Sequence, residues 1–362
     1  MEVAAYPDPK IVVDALWSHM VGATAPRIMG GPRLLHRPWS TLYFINIRSG
    51  NENRHLVAKI AHFPRQAQPE TSWQSEELLV RGKREFETLV RVYDHFSNPP
   101  EPLIGGLRPR AYLPQINAVV MDFAAGKPLY DANLVWRRLA TSNGIRRAEQ
   151  LMTRSGRWLR RFHKIPIKNP PPERCFGPSN IFQDLLKLVD DLQAFGVDPS
   201  VWSFWNCATA MFARIGDTAH VWTHGDFHLR NVLVQSNGAV LGFDTAMERV
   251  DNPCFDAGKF IADLKTRREM ILRLGLLPTP ATIQRLEDAF LTGYSDGRPL
   301  PTLPLYEGFF IFLKWLEILE RLQKSASATK ARALRTIIIN PTFNSIVERW
   351  LQKIFKNGSC KH

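Results

Sequence analysis

The sequence predicts an α+β protein with two lobes, a small antiparallel sheet with one helix and a larger lobe that is mostly helical. Strand patterns are confined to the first part of the chain, apart from one later hairpin, and a single strong helical period lies among them. Beyond Gly126-Lys127-Pro128, which interrupts both patterns, helical periods dominate. We therefore place the first lobe at 1–123, including a helical extension at its start, and the second lobe at 124–362.

The first lobe is predicted to begin with a helix and to continue as a sheet. Residues 9–20 are expected to form the helix, because Asp8 is a suitable cap and Pro9 suits a first turn. Its strands are predicted over 41–47, 55–61, 108–113 and 117–123. The run from Ala118 to Met121 has no polar alternation, which is typical of a strand that is buried on both faces.

Residues 74–96 are predicted to form the helix that accompanies this sheet. Its apolar stripe consists of Leu78, Gly82, Glu85, Leu89, Val92 and Phe96. Charged residues, among them Glu87, occupy the opposite stripe. The pattern therefore places Glu85 on the inward face of the helix and Glu87 on its solvated face.

The second lobe is predicted to be helical with one β hairpin. Its helices are expected near 145–162, 181–195, 199–214, 254–275, 280–294, 304–324 and 328–339. The hairpin is expected to join 232–234 to 240–243 through an Asn237-Gly238 turn. The amphipathic helices beyond about 300 are expected to be broken at Asn340-Pro341.

The composition limits the class of protein and its compartment. Of the 362 residues 44% are hydrophobic, as expected for a folded globular protein that is long enough for two cores. No signal peptide is recognisable, and the most apolar stretch, 309–319, contains Lys314 and Glu317, so no membrane span is expected. The four cysteines form no C-x-x-C pair, which predicts neither a zinc site nor a disulfide framework. A cytoplasmic protein is therefore expected.

The net charge of +13 has two interpretations. One is attraction to nucleic acid or to an anionic membrane. The other is a generally basic surface combined with an anionic ligand. The second is favoured because the basic residues are scattered and form no dense tract, so no nucleic-acid partner is expected.

One segment of the second lobe concentrates residues that suit phosphoryl transfer. The run from His224 to Asn231 reads His-Gly-Asp-Phe-His-Leu-Arg-Asn and leads into the hairpin, and Asp244 follows the return strand. Because a tight hairpin brings its two ends together, Asn231 and Asp244 are expected to face one site. An amide oxygen and a carboxylate are hard ligands suited to magnesium, and phosphoryl transfer also needs a carboxylate that accepts the proton of the acceptor hydroxyl.

This segment resembles the H-G-D-x-x-x-x-N and downstream I-D signature of the aminoglycoside phosphotransferase and choline kinase superfamily. These enzymes are small-molecule relatives of protein kinases, so the resemblance implies a bilobal protein-kinase-like fold and ATP as the phosphate donor. It also implies that Asp226 is the catalytic base and that Asn231 and Asp244 bind Mg²⁺. Thr245-Ala246 follow Asp244 in place of Phe-Gly, which favours the small-molecule branch over the protein kinases.

The resemblance extends over about residues 30–295 and implies an ATP site in the first lobe. It implies that Lys59 is the ATP lysine and that Glu85 is its ion-pair partner. The segment 120–126 resembles the hinge whose backbone reads adenine. Its candidate contacts are Met121, Asp122, Phe123 and Ala124.

The phosphate-binding turn departs from the protein-kinase pattern. The expected turn, 36–41, contains no glycine, and Gly30-Gly31 lie too early to replace one. Many small-molecule kinases of this superfamily use a serine there, so Ser40 is the candidate phosphate contact. Whether this loop changes the choice between ATP and GTP stays open.

Three histidines and one aspartate are candidates for supporting the loop or contacting the substrate. His163 and His224 are expected to have structural roles, with His224 holding the loop by hydrogen bonds. His228 lies inside the loop and is a candidate contact of substrate or phosphate. Phe255-Asp256-Ala257-Gly258 resembles the D-L-A segment of the superfamily, which implies that Asp256 braces the catalytic loop.

The acceptor is expected to be a small-molecule hydroxyl compound. Enzymes that bind aminoglycosides or choline tend to line their sites with carboxylates, but here the acids after Asp244 alternate with basic residues. A sugar, a sugar phosphate or a glycan precursor is therefore expected over a polycation, and an amino alcohol, an aminoglycoside or choline remains the alternative. A non-catalytic pseudokinase or scaffold would lack one of four residues that are all present, Lys59, Asp226, Asn231 and Asp244. The oligomeric state stays open.

Overall fold

The computed structural model describes residues 7–20, 27–49, 51–63, 75–133, 139–167, 175–176, 178–197, 220–245, 249–267, 271 and 278–357. The chain divides into two compact units, Met1–Gly126 and Lys127–His362. In the described ranges no helix is long and apolar enough to cross a membrane. The helix predicted at 199–214 lies outside the described residues.

The first unit is built on an antiparallel sheet. In chain order its elements are α1 (Pro9–Met20), β1 (Arg27–Ile28), β2 (Arg33–His36), β3 (Ser40–Ser49), β4 (Glu52–Ala61), α2 (Glu76–Ser97), β5 (Ile104–Gly105), β6 (Pro109–Leu113) and β7 (Ala118–Asp122). Six strands form the sheet in the order β1-β3-β4-β7-β6, with β2 also paired to β3. The long hairpin β3–β4 keeps one register from Ser40 opposite Ala61 to Ser49 opposite Glu52.

The two faces of this sheet are covered differently. Tyr43, Ile45, Ala58 and Ile60 lie on one face and form a fully buried core with the apolar side of α1. The opposite face carries Val57, Val119 and Met121, and Leu89 of α2 packs against them. Leu42 and Phe44 lie on this second face and are only partly buried. An apolar strip of the second face is therefore still accessible.

Helix α2 follows from its sequence pattern and its cap. The side chain of Ser75 accepts a hydrogen bond from the backbone of Leu78, and acids occupy the first turn. Its buried residues are Leu78, Gly82, Thr88, Leu89, Val92 and Phe96. The predicted stripe is therefore the buried side of the helix, and Glu85 lies on it half-buried.

The second unit is mostly helical. Its described elements are β8 (Lys127–Pro128), α3 (Leu129–Asn133), α4 (Ser142–Phe162), β9 (Cys175–Phe176), α5 (Pro178–Ala194), β10 (Val221–Trp222), β11 (Val232–Val234), β12 (Val240–Gly242), β13 (Val250–Asp251), α6 (Cys254–Lys265), α7 (Pro280–Ser295), α8 (Leu303–Ser325), α9 (Ala328–Leu334), a π-helical turn (Arg335–Ile339) and α10 (Asn340–Asn357). The α+β class predicted from the sequence is confirmed.

Two glycines let α4 and α7 approach until their backbones touch. A Cβ atom on Gly156 would lie 2.2 Å from the carbonyl oxygen of Phe290, and one on Gly293 would lie 2.0 Å from that of Thr153. Such distances exclude any side chain at these positions unless the helices separate. The close crossing fixes α4, whose Trp158 and Phe162 form the floor beneath the loop at 224–231.

The structure corrects two predicted helix boundaries. The helix predicted at 254–275 ends at Lys265, because the backbone of Thr266, with a φ of −104° and a ψ of 25°, leaves the helical conformation. Residues 268–270 and 272–277 lie outside the described residues. The break predicted at Asn340-Pro341 is wrong, since the chain stays helical from α9 through α10. The π-helical turn, in which the backbone N–H of Asn340 bonds to Arg335, accommodates a proline without ending the helix.

Candidate active site

The hairpin β11–β12 fixes the positions of the two predicted metal ligands. Val232 lies opposite Gly242, and the backbone N–H of Phe243 donates to the carbonyl of Asn231 at 3.1 Å. Asp244 is therefore the first residue beyond the pair that contains Asn231. Its backbone has a φ of 65°, in the left-handed region, and its side chain is exposed. This conformation costs about 1 kcal/mol or more for a residue with a Cβ.

The carboxylate of Asp226 is held at both of its oxygens. Oδ1 lies 2.7 Å from the ammonium of Lys259, and Oδ2 accepts a hydrogen bond from Nδ2 of Asn231 at 3.0 Å. The imidazole Nε2 of His228 also lies 3.3 Å from Oδ2. About half of the Asp226 side chain (52%) remains exposed, so the carboxylate is fixed in orientation and still accessible.

These contacts keep Asp226 ionised. Partial burial alone raises the pKa of this carboxyl group, but the hydrogen bond from His228 and the positive charge of Lys259 outweigh it and hold the pKa far below its usual range. The Asp226 carboxylate is thus an acceptor of hydrogen bonds throughout the neutral pH range.

Helix α6 holds the loop from below through one stripe of side chains. Asp256 accepts the backbone N–H groups of His224 (2.7 Å) and Gly225 (2.9 Å). Lys259, one turn further, donates to the carbonyl of Gly225 at 3.0 Å, and Asp263 accepts the N–H of Leu229 at 3.1 Å. Residues at these spacings lie on one face of a helix, so a single rigid element positions the whole loop.

His224 was expected to hold the loop by hydrogen bonds, and in the described structure it does so through its backbone N–H and not through its ring. In the described structure both ring nitrogens are buried without a hydrogen-bond partner, and the ring lies among Trp158, Phe162 and Phe227. Burial lowers the pKa of His224, which favours the neutral ring. His224 therefore supports the loop through aromatic packing and through its backbone N–H, which donates to Asp256.

His163 lies behind Asp256. Its Nε2 is 2.9 Å from the Asp256 carboxylate and its Nδ1 is 3.0 Å from the hydroxyl of Tyr294, which donates to the carbonyl of Pro253. The side chain of His163 is almost fully buried. It therefore contacts the brace of the loop and does not line an open surface.

In the first unit the two side chains predicted to pair do lie together. The ammonium of Lys59 is 2.7 Å from Oε1 of Glu85, and the two side chains are 16% and 15% exposed, so the pair is shielded from water. Lys59 lies opposite Leu42 and therefore on the same face as Val57 and Phe44. The pair thus borders the accessible apolar strip of that face.

The hinge candidates lie at the end of β7. The side chain of Asp122 forms a double hydrogen bond with Arg110 (2.5 and 2.7 Å), and its backbone N–H donates to Arg108. The N–H of Phe123 donates to His55, and the ring of Phe123, which is 41% exposed, lies edge-on to Phe44. Met121 is buried against Leu89. Ala124 follows on the partly exposed segment that ends the unit.

Ser40 is placed differently from the turn that suggested it. The exposed turn between β2 and β3 consists of Arg37, Pro38 and Trp39, whereas Ser40 is the first residue of β3 and is buried. Its carbonyl accepts the N–H of Arg37 at 2.8 Å, which closes the turn. The exposed side chains of 37–39 are therefore nearer to solvent than the Ser40 hydroxyl.

A cavity of about 380 Å³ in the second unit opens beside Asp226. Ala262, Phe310 and Leu313 contribute apolar lining. Its charged lining is balanced, with the acids Asp226, Asp263 and Glu317 and the bases Arg230, Lys259 and Lys314, together with His228. Each of the acids is engaged, since Asp263 holds the Leu229 N–H and Glu317 lies 3.2 Å from Lys314.

Lys259 and Asp263 were not among the candidate residues that the sequence supplied. The available signal was the i, i+3, i+7 spacing of Asp256, Lys259 and Asp263, which puts all three on one stripe of the helix. Without the position of the loop, however, that stripe is equally consistent with a solvated helix face.

The class of protein is a protein-kinase-like phosphotransferase. It is defined by the antiparallel sheet unit, by the helical unit and by the loop at 224–231, which packs on α6. A model of the phosphotransferase enzyme family (APH) matches residues 43–300. The chain belongs to this family.

Two solved structures illustrate the likeness of fold. Aminoglycoside phosphotransferase APH(2'')-Ib in its ADP-bound form is 13% identical, with 94% of this chain and 96% of that chain covered and a TM-score of 0.51. Macrolide 2'-phosphotransferase MphH from Brachybacterium faecium is 15% identical, with 90% and 97% covered and a TM-score of 0.50. A comparison with curated protein sequences finds no match.

Proposed function

We propose that the protein transfers the γ-phosphoryl group of ATP to a hydroxyl group of a small molecule, such as a sugar, a glycan precursor or an amino alcohol. The observation that carries this proposal is the state of Asp226, an ionised and half-exposed carboxylate held at both oxygens beside an open cavity of about 380 Å³. A carboxylate so placed suits the orientation of an acceptor hydroxyl and the acceptance of its proton as the phosphoryl group is transferred.

The low pKa of Asp226 makes it a weak base in the ground state. In a loose transition state the acceptor hydroxyl loses its proton late, so the carboxylate acts mainly by fixing the direction of attack. The three contacts of Asp226 support this role because they remove its rotational freedom before the substrate arrives. The proton then passes from the hydroxyl to Asp226 without a further group.

The residues present suit Mg²⁺. The Nδ2 of Asn231 donates both to the carbonyl and to the carboxylate of Asp226, which leaves its Oδ1, a hard oxygen ligand, on the other side of the amide. Asn231 and Asp244, at the two ends of the hairpin β11–β12, are the residues that would hold the ion. When bound, the ion would supply positive charge that offsets the charge of the phosphates.

The first unit suits the nucleotide. The shielded Lys59–Glu85 pair offers an ammonium for phosphate oxygens, and Glu85 fixes its direction. The accessible strip of Leu42 and Phe44 offers an apolar surface for a flat base. With the N–H groups of Asp122 and Phe123 already engaged, we assign adenine recognition to the carbonyls of the hinge and to the N–H of Ala124. For the phosphates we favour the 37–39 turn over the buried Ser40 hydroxyl.

The charge of the cavity favours a neutral or anionic acceptor. A polycation such as an aminoglycoside needs several carboxylates that are free to pair with it, but Asp226, Asp263 and Glu317 are all engaged. The name of the solved neighbour APH(2'')-Ib keeps an aminoglycoside in the list of acceptors to test. The non-catalytic alternative is disfavoured because Lys59, Asp226, Asn231 and Asp244 are all present.

The decisive experiment is a screen of a metabolite library for ATP-dependent phosphate transfer by the purified protein with Mg²⁺. We expect at least one hydroxyl compound to be phosphorylated, and Asp226→Asn to abolish that transfer while ATP still binds. The matched control is Asp184→Asn, the same change at an exposed position of α5. Equal loss of ATP binding and phosphate transfer in Asp226→Asn would contradict the assignment of Asp226 as the base. If the wild type consumes no ATP with any compound, the proposal that the protein is an ATP-dependent kinase is wrong.

A further inference from the structure

Lys259 is the charged residue of the cavity that lies closest to the proposed reaction. Its ammonium is 2.7 Å from Oδ1 of Asp226, donates to the carbonyl of Gly225 at 3.0 Å, and lies 5.6 Å from the ring centre of Phe310. The first two contacts are direct hydrogen bonds, and the aromatic face adds a weaker attraction for a cation. These contacts therefore hold the Lys259 ammonium next to the Asp226 carboxylate, in the lining of the cavity.

The other cations of the cavity differ from Lys259 in this respect. Lys314 pairs with Glu317 at 3.2 Å and is 38% exposed, and Arg230 is 59% exposed and stacks over Tyr130. Neither has a hydrogen bond or ion pair with Asp226 among the contacts of the described residues. His228 does contact Asp226, but it belongs to the same loop as Asp226 and not to a separate element.

We infer that Lys259 selects the acceptor, admitting uncharged or anionic hydroxyl compounds and rejecting those that carry an ammonium group next to the reacting hydroxyl. This inference rests on the proposed function and narrows its acceptor to sugars and glycan precursors at the expense of amino alcohols. The same contacts make Lys259 a positioning residue for Asp226, because it ties the carboxylate to the backbone of the loop at Gly225.

The selection follows from the distance between the acceptor and Lys259 and from their charges. A hydroxyl that donates to Asp226 at about 2.8 Å lies about 4–7 Å from the Lys259 ammonium, since both contact the same carboxylate. An ammonium on the neighbouring carbon of the acceptor then lies at a similar distance from Lys259. For two like charges about 6 Å apart in a partly exposed site, the repulsion offsets the attraction of the amino compound to Asp226 and lowers its rate about 10- to 100-fold relative to a site without Lys259. A carboxylate at the same carbon gains from the same charge.

The test uses matched acceptors that differ in one substituent, with initial rates of ADP formation by the full-length protein. Glucose, 2-amino-2-deoxyglucose and glucuronate form one set, and glycerol, 3-amino-1,2-propanediol and glycerate form another. We expect kcat/KM of the wild type to be at least tenfold lower for the amino member of the set it accepts. In Lys259→Met this ratio falls to within about threefold, and kcat for the preferred acceptor falls about 100-fold.

Three further variants separate selection from a general defect. Lys259→Arg keeps the charge and should keep the discrimination, and Lys259→Gln replaces Lys259→Met if the latter does not fold. Lys187→Met, at an exposed position of α5, should match the wild type in every ratio. A purely structural role of Lys259 predicts equal losses for all acceptors and an unchanged ratio, which would overturn the inference.

The outcomes also distinguish this inference from the function on which it rests. If ATP is consumed and the wild type accepts the amino and hydroxyl members equally, Lys259 does not select and the proposed function stands. If no compound of the panel or of a wider metabolite library causes ATP consumption, the proposed function fails and the selection by Lys259 fails with it.

Discussion

The imidazole of His163 lies 2.9 Å from the carboxylate of Asp256, which in turn accepts the backbone N–H groups of two residues in the loop at 224–231. Asp256 is fully buried, so all of its hydrogen bonds come from the protein. The loop that presents Asp226 is thus tied to the first turn of α6 by one buried charge. This arrangement makes the stability of the loop depend on the ionisation of Asp256.

We predict that Asp256→Asn destabilises the protein by about 2–4 kcal/mol, because a buried carboxylate with several donors is replaced by an amide that faces one of them with its NH₂ group. Burial raises the pKa of Asp256. The hydrogen bond from His163 and the charge of His163 lower that pKa by more than burial raises it, so the net shift is downward. The carboxylate therefore contributes stability above its unfolded pKa of about 3.9, and the contribution is lost as the pH falls through the lower folded value.

Urea unfolding of wild type and Asp256→Asn at pH 7 and at successively lower pH measures both effects. The difference in unfolding free energy between the two proteins should be largest near neutral pH and should shrink in acid. Asp184→Asn on the exposed side of α5 provides the control. A difference that stays constant down to the lowest measurable pH would contradict the assigned ionisation.

A second prediction concerns the Lys59–Glu85 pair. Lys59→Met should lower kcat/KM for ATP about 100-fold, which corresponds to about 2.7 kcal/mol, because the half-buried ammonium proposed for the phosphates is lost. Glu85→Gln should lower kcat/KM for ATP by less, since Lys59 keeps its charge and loses only the ion pair that orients its ammonium group. Steady-state kinetics with varied ATP would show this order.

The control for the pair is Lys83→Met, which changes an exposed lysine of the same helix, α2. It should leave kcat/KM for ATP within about twofold of the wild type. If Lys59→Met behaves like Lys83→Met, the ATP-lysine role is wrong.

A third prediction uses the left-handed backbone of Asp244. Both Asp244→Ala and Asp244→Gly should lose the stabilisation by ATP with Mg²⁺, which for the wild type reaches about 2.7 kcal/mol at a ligand concentration of about 100 Kd. Without ligand the glycine variant should be about 1 kcal/mol more stable than the alanine variant, because only glycine adopts a φ of 65° without steric cost.

Thermal unfolding with and without ATP and Mg²⁺ tests both parts of this prediction. The glycine variant separates the loss of a ligand from the strain of the backbone, which alanine alone would confound. Retention of the ligand-induced shift in Asp244→Gly would exclude Asp244 from the metal site.

The sequence predicted best the features that depend on neighbours along the chain. The hairpin around Asn237-Gly238 and the buried stripe of α2 follow from local periodicity and turn chemistry, which tertiary contacts did not override. The end of α6 was missed because the backbone of Thr266 leaves the helical conformation at a point that the apolar pattern does not mark. The break predicted at Pro341 was wrong because a π-helical turn relieves the steric conflict of the proline, and no local sequence pattern predicts that turn.

The candidate site was predictable as a set of residues but not as a set of contacts. Asp226 and Asn231 stand at fixed spacing in one loop, so the motif alone singled them out. Lys259 follows Asp226 by 33 positions, and only the packing of α6 under the loop reveals that it touches the carboxylate. The ring of His224 lies in an aromatic pocket built by α4, a contact between distant segments that periodicity cannot report.

The last prediction concerns the C-terminal helix α10, which is joined to the helical unit by a buried cluster of two acids and two lysines. Glu287 of α7 and Glu307 of α8 are 0% and 1% exposed, and Lys265 of α6 lies 2.7 and 2.5 Å from them. Lys353 of α10 pairs with Glu287 and is 26% exposed. The cluster therefore links four helices, and α10 contributes one of its charges.

Glu287 remains ionised because of its partners. Burial raises the pKa of Glu287, but the charges of Lys265 and Lys353 outweigh it and lower the pKa. For Lys265 the directions are reversed. Burial lowers its pKa, but the charges of the two glutamates outweigh burial and raise the pKa well above its usual value. The pairing is thus fully present at neutral pH and is lost in acid, as the pH falls through the lowered pKa of Glu287.

We predict that Glu287→Gln destabilises the protein by about 3–5 kcal/mol, because it leaves the buried Lys265 with one acid in place of two. Lys353→Met should cost less, since Lys353 is partly exposed and Glu287 keeps Lys265 as a partner. In the double variant the two costs should not add, because each removes the same pair. Urea unfolding of the four proteins gives the coupling energy, with Lys324→Met, at an exposed position of α8, as the control. Strict additivity would mean that Lys353 and Glu287 are not coupled and that α10 is held by its buried apolar residues, among them Phe343 and Trp350.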